Sequence, residues 1–269
     1  MTPDPRAWTA ATAGPPPSWR LPPTADPAAV RAALDRRGFV VMRQPELPDR
    51  AARVAAYHEF ATCLGRRVPQ NVDGALLYDV RDTGVSVATG ARFSVTNAES
   101  SFHTDGSFAD AVPDVVGLLC LAGAKAGGVN QVVSGYAVHD RLDAATRAEL
   151  ARPFHVDRRG GVRPGEAPTA RNPVLSEDAD GLVIRYLRYW IEAGHAKADE
   201  PLTATQTAAL DAFDRTAADP ALRAEFVLDP GDVLYVANRW VLHNRTAFED
   251  HPEPERRRHL VRLWLATDR

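Results

Sequence analysis

The chain has 269 residues, a formal net charge of −3 and an isoelectric point near 6.2. Hydrophobic residues make up 45% of it and charged residues 25%, which is typical of a folded globular protein and excludes overall disorder. The charge balance argues against a general nucleic-acid-binding protein. The longest apolar stretch, Val115 to Ala124, is too short to cross a membrane.

The cysteines indicate the cellular compartment. Cys63 and Cys120 lie far apart and form no CxxC pattern, which predicts two buried thiols in a reducing compartment and no disulfide framework. The first residues contain no basic segment followed by an apolar run, so no signal peptide is visible. We therefore expect a cytoplasmic protein.

The N-terminal residues differ in composition from the rest of the chain. Residues 1–26 are rich in Pro, Ala and Thr, and we expect them to form an irregular arm anchored by Trp8 and Trp19. No linker or internal repeat is visible after this arm. Residues 27–269 are therefore predicted to form a single domain.

Helical spacing of apolar residues marks three segments. The first begins at Pro27 and ends at Gly38, which is a common helix stop. The second runs from about residue 48 to residue 64. The third begins at Thr203-x-x-Gln206, a capping box followed by an apolar stripe.

Short apolar and β-branched runs separated by Gly, Asp, Asn and Pro occupy most of the remaining chain. This pattern predicts a sandwich or barrel with added helices. The stretch Arg152–Asp180 has little periodicity and is predicted to be a long functional or mobile loop. Strands are expected at Phe39–Met42, Ala75–Val80, Ala91–Val95, Val115–Leu121, Val129–Ser134, Leu182–Leu187, Val233–Val236 and Arg258–Ala266.

Two histidines and one aspartate form a candidate metal site. On a strand, His103 and Asp105 would present an imidazole and a carboxylate to the same face. Together with His243 they would complete the two-histidine, one-carboxylate set of non-haem Fe(II) oxygenases, which leaves positions open for a cosubstrate and O₂. An H-x-D pair alone is also compatible with a hydrogen-bonded core histidine.

The last predicted strand carries two arginines on one face. Arg258 and Arg262 stand at i and i+4 among apolar residues, where an unpaired cation is costly and a carboxylate is the preferred partner. A dicarboxylate cosubstrate that binds iron through one end would leave its other carboxylate for such a residue. The alternative is a solvated basic run, which we assign to Arg256 and Arg257.

These motifs resemble the Fe(II)/2-oxoglutarate-dependent taurine dioxygenase superfamily, in particular its clavaminate synthase-like branch. The resemblance spans roughly residues 90–266, in the right order and spacing. It implies a mainly β fold with flanking helices around a double-stranded β-helix core of the jelly-roll or cupin type. The matching motifs are His103-Thr-Asp105, Gly127-Gly128, NRWVLHNRTAF from Asn238 to Phe248, and RRHLVRLWL ending at Leu265.

The resemblance also implies roles for individual residues. His103, Asp105 and His243 would bind Fe(II), and Arg258 would pair with the distal carboxylate of 2-oxoglutarate. Asn130 stands where the family commonly has Thr, and its amide N–H could donate a similar hydrogen bond to that carboxylate. Arg262 matches a position that contacts either the cosubstrate or an anionic group of the substrate.

The implied reaction is hydroxylation of an unactivated C–H bond of a small molecule, with O₂ consumed and 2-oxoglutarate decarboxylated to succinate and CO₂. Desaturation, epoxidation or cyclisation would use the same cofactors. Halogenation is disfavoured, because related halogenases have Gly or Ala in place of Asp105. We expect a free or carrier-protein-bound amino acid of specialised metabolism as substrate, contacted by Arg262, Ser94, Asn97 and Arg188.

Two other classes of function stay open at this point. A Zn- or Mn-dependent hydrolase or isomerase on a similar scaffold would have no use for Arg258. A non-catalytic binding protein would be expected to have lost at least one of the three metal ligands, and this chain has all three. We expect no nucleic-acid or membrane partner, and the sequence does not define the oligomeric state.

Overall fold

The computed structural model describes residues 6–14, 16–87, 91–159, 161–162 and 165–267. The helices are α1 (Pro27–Arg37), α2 (Arg50–Thr62), α3 (Gly135–Arg141), α4 (Ala144–Leu150), α5 (Arg188–Ala198) and α6 (Ala204–Ala217). The strands are β1 (Arg20–Leu21), β2 (Phe39–Arg43), β3 (Arg66–Val68), β4 (Leu77–Val80), β5 (Ser100–His103), β6 (Val115–Ala122), β7 (Ala126–Gly127), β8 (Asn130–Ser134), β9 (Pro153–Asp157), β10 (Thr169–Pro173), β11 (Leu175–Asp178), β12 (Gly181–Ile184), β13 (Arg223–Phe226), β14 (Asp232–Ala237), β15 (Val241–Arg245), β16 (Phe248–Glu249) and β17 (His259–Ala266).

Two sheets form the centre of the molecule. The larger one has seven strands in the order β1-β2-β14-β6-β17-β3, with β4 also paired to β17. The smaller one has four strands in the order β13-β8-β15-β5. All pairings in both sheets are antiparallel except that of β1 with β2.

The sheets pack face to face through apolar side chains. Phe39 and Leu234 of the larger sheet share one core cluster with Val132 and Val241 of the smaller sheet. Antiparallel sheets packed in this way, with six helices on their outer sides, are the mainly β, double-stranded β-helix arrangement that the sequence predicted. That prediction is confirmed.

Strand β17 shows how the alternation of side chains positions the site. Leu263 and Leu265 point to the outer face, where they pack in one cluster with Tyr57 of α2. Arg262 and Trp264 point to the inner face and line a cavity between the sheets. Because successive side chains of a strand alternate between faces, the strand supports the core and the cavity at once.

Two helix ends follow the predicted signals, namely the stop at Gly38 and the capping box of α6, whereas the cap at Asp26 was not predicted and α2 ends at Thr62, two residues before its predicted end. The Asp26 side chain caps α1 by accepting from the Ala29 N–H, and Gly38 ends the helix with a φ of 76°, in the left-handed region that Gly adopts without strain. The capping box of Thr203 and Gln206 is present at the start of α6. Helices α3, α4 and α5 were not predicted.

Two predicted segments are wrong. Residues 91–95 form no strand: the 3₁₀ turn Phe93–Val95 lies there and has no partner strand. The predicted loop Arg152–Asp180 contains β9, β10 and β11, which pair as parts of two hairpins. Its apolar residues enter a core cluster with α5 and α6, so tertiary packing overrides the weak periodicity. Residues 160, 163 and 164 of this segment lie outside the described residues.

The N-terminal arm packs on the domain in its described part. Trp8 and Trp19 are buried and their rings lie 5.4 and 5.6 Å from the ring of Phe39. Residues 1–5 and 15 of the arm lie outside the described residues.

Cys120 is buried as predicted, but Cys63 follows the last turn of α2 and is exposed. In the described part of the chain, no helix is long and apolar enough to cross a membrane.

Candidate active site

Strands β5 and β15 bring the three predicted metal ligands together. His103 and His243 are directly paired across the two strands, with ring centroids 4.3 Å apart. Strand β5 ends at His103, so Asp105 lies in the following turn and not on the strand as expected. The turn still places Asp105 Oδ1 3.8 Å from His103 Nε2. One ligand atom from each of the three residues lies within 4.8 Å of the other two.

The hydrogen bonds of the two imidazoles leave nitrogens for a metal. His103 Nδ1 lies 2.8 Å from the Ser101 carbonyl oxygen, to which it can donate, and this leaves Nε2 with a free lone pair. His243 is buried, and its Nδ1 has no hydrogen-bond partner among the described residues. A buried imidazole nitrogen without a partner is costly unless a ligand satisfies it. These three side chains therefore fit a ferrous ion.

The protonation states suit metal binding. Burial lowers the pKa of His243 to about 3, helped by the neighbouring His103. Burial also lowers the pKa of His103. Both imidazoles are therefore neutral near pH 7, which is the form that coordinates metals.

The carboxylate of Asp105 is held in one orientation. Trp264 Nε1 donates to Oδ2 over 2.9 Å, and Arg262 Nη1 lies 3.2 Å from Oδ1 and 3.1 Å from Oδ2. Burial raises the pKa of Asp105, but Arg262, the two imidazoles and the Trp264 N–H together lower it to about 2. Asp105 is therefore ionised near pH 7, as a metal ligand has to be.

Asn238 fixes the backbone of the same residue. Its Oδ1 accepts from the Asp105 N–H over 2.7 Å, and its Nδ2 donates to the carbonyl oxygens of Asp105 and Pro113 over 3.0 and 2.9 Å. Asn238 is fully buried in the turn between β14 and β15. The sequence showed Asn238 only as part of a motif, and this contact gives the motif a physical reason.

Arg258 is a buried cation in the same cavity. It is 5% exposed, and its Nη1 has no hydrogen-bond partner in the described part of the chain. Burial lowers the pKa of Arg258 to about 10, so it stays charged near pH 7. Its guanidinium lies against Gly128, where an added Cβ would be 3.5 Å from Arg258 Nε. A buried guanidinium without an acidic partner fits a carboxylate ligand.

Asn130 lines the cavity together with Arg258. Its side chain is buried, and its Nδ2 donates to the Phe226 carbonyl oxygen over a long 3.4 Å. An amide nitrogen carries two N–H groups, so one is left for a ligand.

Arg262 differs from Arg258 because its partners are already present. Besides the contact with Asp105, its Nε donates to Oε1 of Gln70 over 2.8 Å. Gln70 is buried and its Nε2 donates back to the Arg262 carbonyl oxygen over 2.9 Å. Sequence reasoning missed Gln70, because nothing in the sequence near residue 70 indicates a contact with a strand almost 200 positions later.

The residues predicted to contact the substrate divide into two groups. Ser94 lines the cavity beside the metal ligands. Asn97 is exposed, and its described contacts are made by its backbone carbonyl oxygen. Arg188 Nη1 and Nε lie 2.7–3.1 Å from carboxylates of Glu192, Asp211 and Asp214, outside the cavity. Asn97 and Arg188 are therefore not among the described residues that line the cavity, and their contact with the substrate stays a prediction.

Residues 91–97, which we call the 91–97 segment, cover part of the cavity without belonging to either sheet. Arg245 holds this segment by donating to the carbonyl oxygens of Phe93, Thr96 and Asn97 over 3.2–3.4 Å. Burial lowers the pKa of Arg245 to about 9. Sequence reasoning missed its role, although Arg245 shares a strand face with His243 two positions earlier.

Comparison with known proteins identifies the family of this chain. The model of the taurine catabolism dioxygenase TauD, TfdA family matches residues 4–264, so the chain belongs to this family. FR-33289 synthase of Streptomyces rubellomurinus (strain ATCC 31215) is 32% identical over 211 residues, which cover 75% of this chain and 60% of that protein. The chain thus spans about three fifths of the length of this relative.

Two further proteins are similar to this chain over most of their length, one in sequence and the other in fold. Uridine-5'-phosphate dioxygenase of an Amycolatopsis species is 30% identical over 254 residues, 89% of each protein. A solved structure of asparagine oxygenase in complex with Fe(II), (2S,3S)-3-hydroxyasparagine and succinate superposes with a TM-score of 0.69 at 22% identity, over 91% of this chain and 86% of that one. This likeness shows a shared fold.

Proposed function

We propose that the protein is a non-haem Fe(II)/2-oxoglutarate-dependent oxygenase that hydroxylates a small molecule. The observation that carries the proposal is one cavity that joins three convergent candidate metal ligands to the buried Arg258, whose Nη1 has no hydrogen-bond partner among the described residues. Family membership and the Fe(II) and succinate of the asparagine oxygenase complex support it.

The residues of this chain divide the work of the proposed reaction. His103, Asp105 and His243 would hold Fe(II), which together with 2-oxoglutarate and O₂ supplies an oxidant for an unactivated C–H bond. Arg258 and Asn130 would bind the distal carboxylate of 2-oxoglutarate. The balanced reaction inserts one oxygen atom of O₂ into the C–H bond and the other into succinate, with release of CO₂.

The protein also has to exclude water from the reacting groups. Leu118, Leu234 and Leu260 of the larger sheet line the cavity and give it an apolar wall. A water-poor site strengthens the electrostatic contacts of the bound ions and protects the oxidant from side reactions. Arg262 and Trp264 hold the Asp105 carboxylate in place through hydrogen bonds to its two oxygens.

The finer proposal is that the substrate is an amino acid of specialised metabolism. The hydroxyasparagine in the asparagine oxygenase complex supports an amino acid, and the names of FR-33289 synthase and uridine-5'-phosphate dioxygenase are compatible with other small molecules. A carrier-protein-bound amino acid is the variant of this proposal. Desaturation, epoxidation and cyclisation are alternative outcomes of the same cofactor chemistry.

We also propose a cytoplasmic location, which the free thiols of Cys63 and Cys120 support.

Anaerobic absorption spectroscopy tests the proposed cofactors. Adding Fe(II) and then 2-oxoglutarate to the protein should produce a weak visible charge-transfer band. The band should need far more 2-oxoglutarate in Arg258→Ala and be unchanged in Arg256→Ala, whose side chain is 60% exposed. A folded wild-type protein that binds Fe(II) and gives no band would contradict the proposal and favour a metal-dependent hydrolase or isomerase.

A further inference from the structure

The cavity carries more positive charge than the proposed cofactors explain. Its lining in the described residues includes four arginines and one carboxylate, that of Asp105. Arg245 is bonded to backbone carbonyls, Arg262 is paired with Asp105, and Arg258 is the proposed partner of 2-oxoglutarate. Arg92 is the fourth, and neither the metal site nor the cosubstrate accounts for it.

Arg92 has donors to spare. Its Nη2 donates to the Arg159 carbonyl oxygen over 3.2 Å, and among the described residues no carboxylate lies within ion-pair distance of its guanidinium. Burial lowers the pKa of Arg92, and its side chain lines the same cavity as the three predicted metal ligands. A partly desolvated guanidinium is costly without an anion. Its five N–H groups suit an oxyanion.

The neighbours of Arg92 keep it in place. Arg245 holds the backbone of the 91–97 segment, as described above, and the ring of Phe93 meets Tyr189 of α5 edge-on at 6.2 Å. The acceptor of Arg92 is itself fixed, because the Arg159 N–H donates to Asp157 Oδ1 over 2.8 Å. The guanidinium is therefore presented to the cavity by a supported segment.

Resting on the proposed function, we propose that Arg92 binds an oxyanion of the primary substrate, so that the substrate is an acid. The carboxylate of a free amino acid satisfies this requirement, and so does a phosphate ester. An amino acid attached to a carrier as a thioester has lost the charge of its α-carboxylate. A free acid is therefore favoured over a carrier-bound one, and Arg92 joins Arg262, Ser94, Asn97 and Arg188, the substrate contacts predicted from the sequence.

The test uses the anaerobic Fe(II) and 2-oxoglutarate complex as a reporter of substrate binding. The probes are the twenty proteinogenic L-amino acids, their α-carboxamides, uridine 5'-monophosphate and uridine, each titrated while the visible band is followed. We expect an acid to shift the band, and its counterpart without the oxyanion (the carboxamide or the nucleoside) to leave the band unchanged. The amino acids and the nucleotide separate a carboxylate from a phosphate.

Variants at residue 92 assign the effect to this side chain. Arg92→Gln should raise the half-saturating concentration of the acid by roughly 10- to 100-fold, the usual loss for a charge-assisted hydrogen bond. Arg92→Lys should recover part of the affinity, and the exposed control Arg256→Gln should behave as wild type. The band formed before any probe is added should be the same in all four proteins.

Several results would overturn the inference. They are equal shifts by acids and by their counterparts without the oxyanion, wild-type affinity in Arg92→Gln, or no shift by any probe. Loss of the probe-free band in Arg92→Gln would also overturn it, because Arg92 would then belong to the metal and cosubstrate site. A missing band in the wild-type protein is a separate outcome, which refutes the proposed function.

Discussion

The metal site and the 91–97 segment line one cavity, yet they are built in different ways. At the metal site, Asp105 has its backbone N–H and carbonyl held by Asn238 and its carboxylate held by Arg262 and Trp264. The 91–97 segment has one short 3₁₀ turn and pairs with no strand. The predicted metal ligands are therefore fixed by two paired strands and by a turn with many hydrogen bonds, whereas the proposed substrate contact of Arg92 lies on a loop outside the sheets, where residues vary more easily.

Substitutions of the predicted metal ligands should reduce activity more than substitutions elsewhere in the cavity. His243→Ala removes one of three ligands, and we expect succinate formation to fall to the background of metal-free protein. The matched control is His251→Ala, a histidine outside the cavity, which should retain activity. Turnover that survives in His243→Ala would refute the assignment of this ligand.

The buried cation should matter for the cosubstrate and not for the fold. Arg258→Met should weaken 2-oxoglutarate binding about 100-fold, because truncating one member of a buried charge pair costs several kcal/mol. Without 2-oxoglutarate the same variant should be as stable as wild type or more stable, since it removes a buried cation whose Nη1 has no hydrogen-bond partner among the described residues. Calorimetric titration of the Mn(II) protein with 2-oxoglutarate measures the change in affinity, and thermal melts measure the change in stability. A wild-type affinity for 2-oxoglutarate would refute the role of Arg258.

Substitution of Asn238 tests whether metal binding depends on the hydrogen bonds that hold the backbone of Asp105. Asn238→Ala should weaken metal binding by roughly 10- to 100-fold, as is usual when a residue that orients a ligand is lost. Asn172 donates to the Ser107 carbonyl oxygen over 3.0 Å in the same turn region, so Asn172→Ala is the control and should bind metal normally. Equal Co(II) affinity in both variants would mean that Asn238 supports the fold alone.

The 91–97 segment should loosen without disturbing the metal. Arg245→Gln removes bonds to three of its carbonyl oxygens, so local opening of the segment should become easier by about 1–3 kcal/mol. Hydrogen exchange of residues 91–97 should accelerate while the affinity for Co(II) stays within about twofold of wild type. Unchanged exchange would show that Arg245 does not hold the segment.

The smallest effect is expected at Arg188. Arg188→Gln breaks ion pairs with partly exposed carboxylates, so it should cost less than about 1 kcal/mol of unfolding free energy. Substrate-dependent succinate formation should be unaltered. A large rise in KM would show that Arg188 faces the substrate after all.

The sequence predicted those features that follow from local chemical patterns. Alternation along residues 258–264 placed Arg262 and Trp264 on one face of a strand, and the structure shows that this face lines the cavity. His103, Asp105 and His243, which the sequence indicated as metal ligands, lie close together in the structure. The hairpins of residues 153–184 were missed, because their strands are defined by packing against α5 and α6. The partnership of Arg262 with Gln70 was missed for the same reason, since contacts between distant segments leave no local signal.

A crystal structure of the protein grown anaerobically with Fe(II) and 2-oxoglutarate would show where the metal and the cosubstrate bind. Anomalous scattering should locate one iron bound by His103, Asp105 and His243, and the distal carboxylate of 2-oxoglutarate should lie within hydrogen-bond distance of Arg258. Iron bound elsewhere, or a carboxylate that avoids Arg258, would contradict the account.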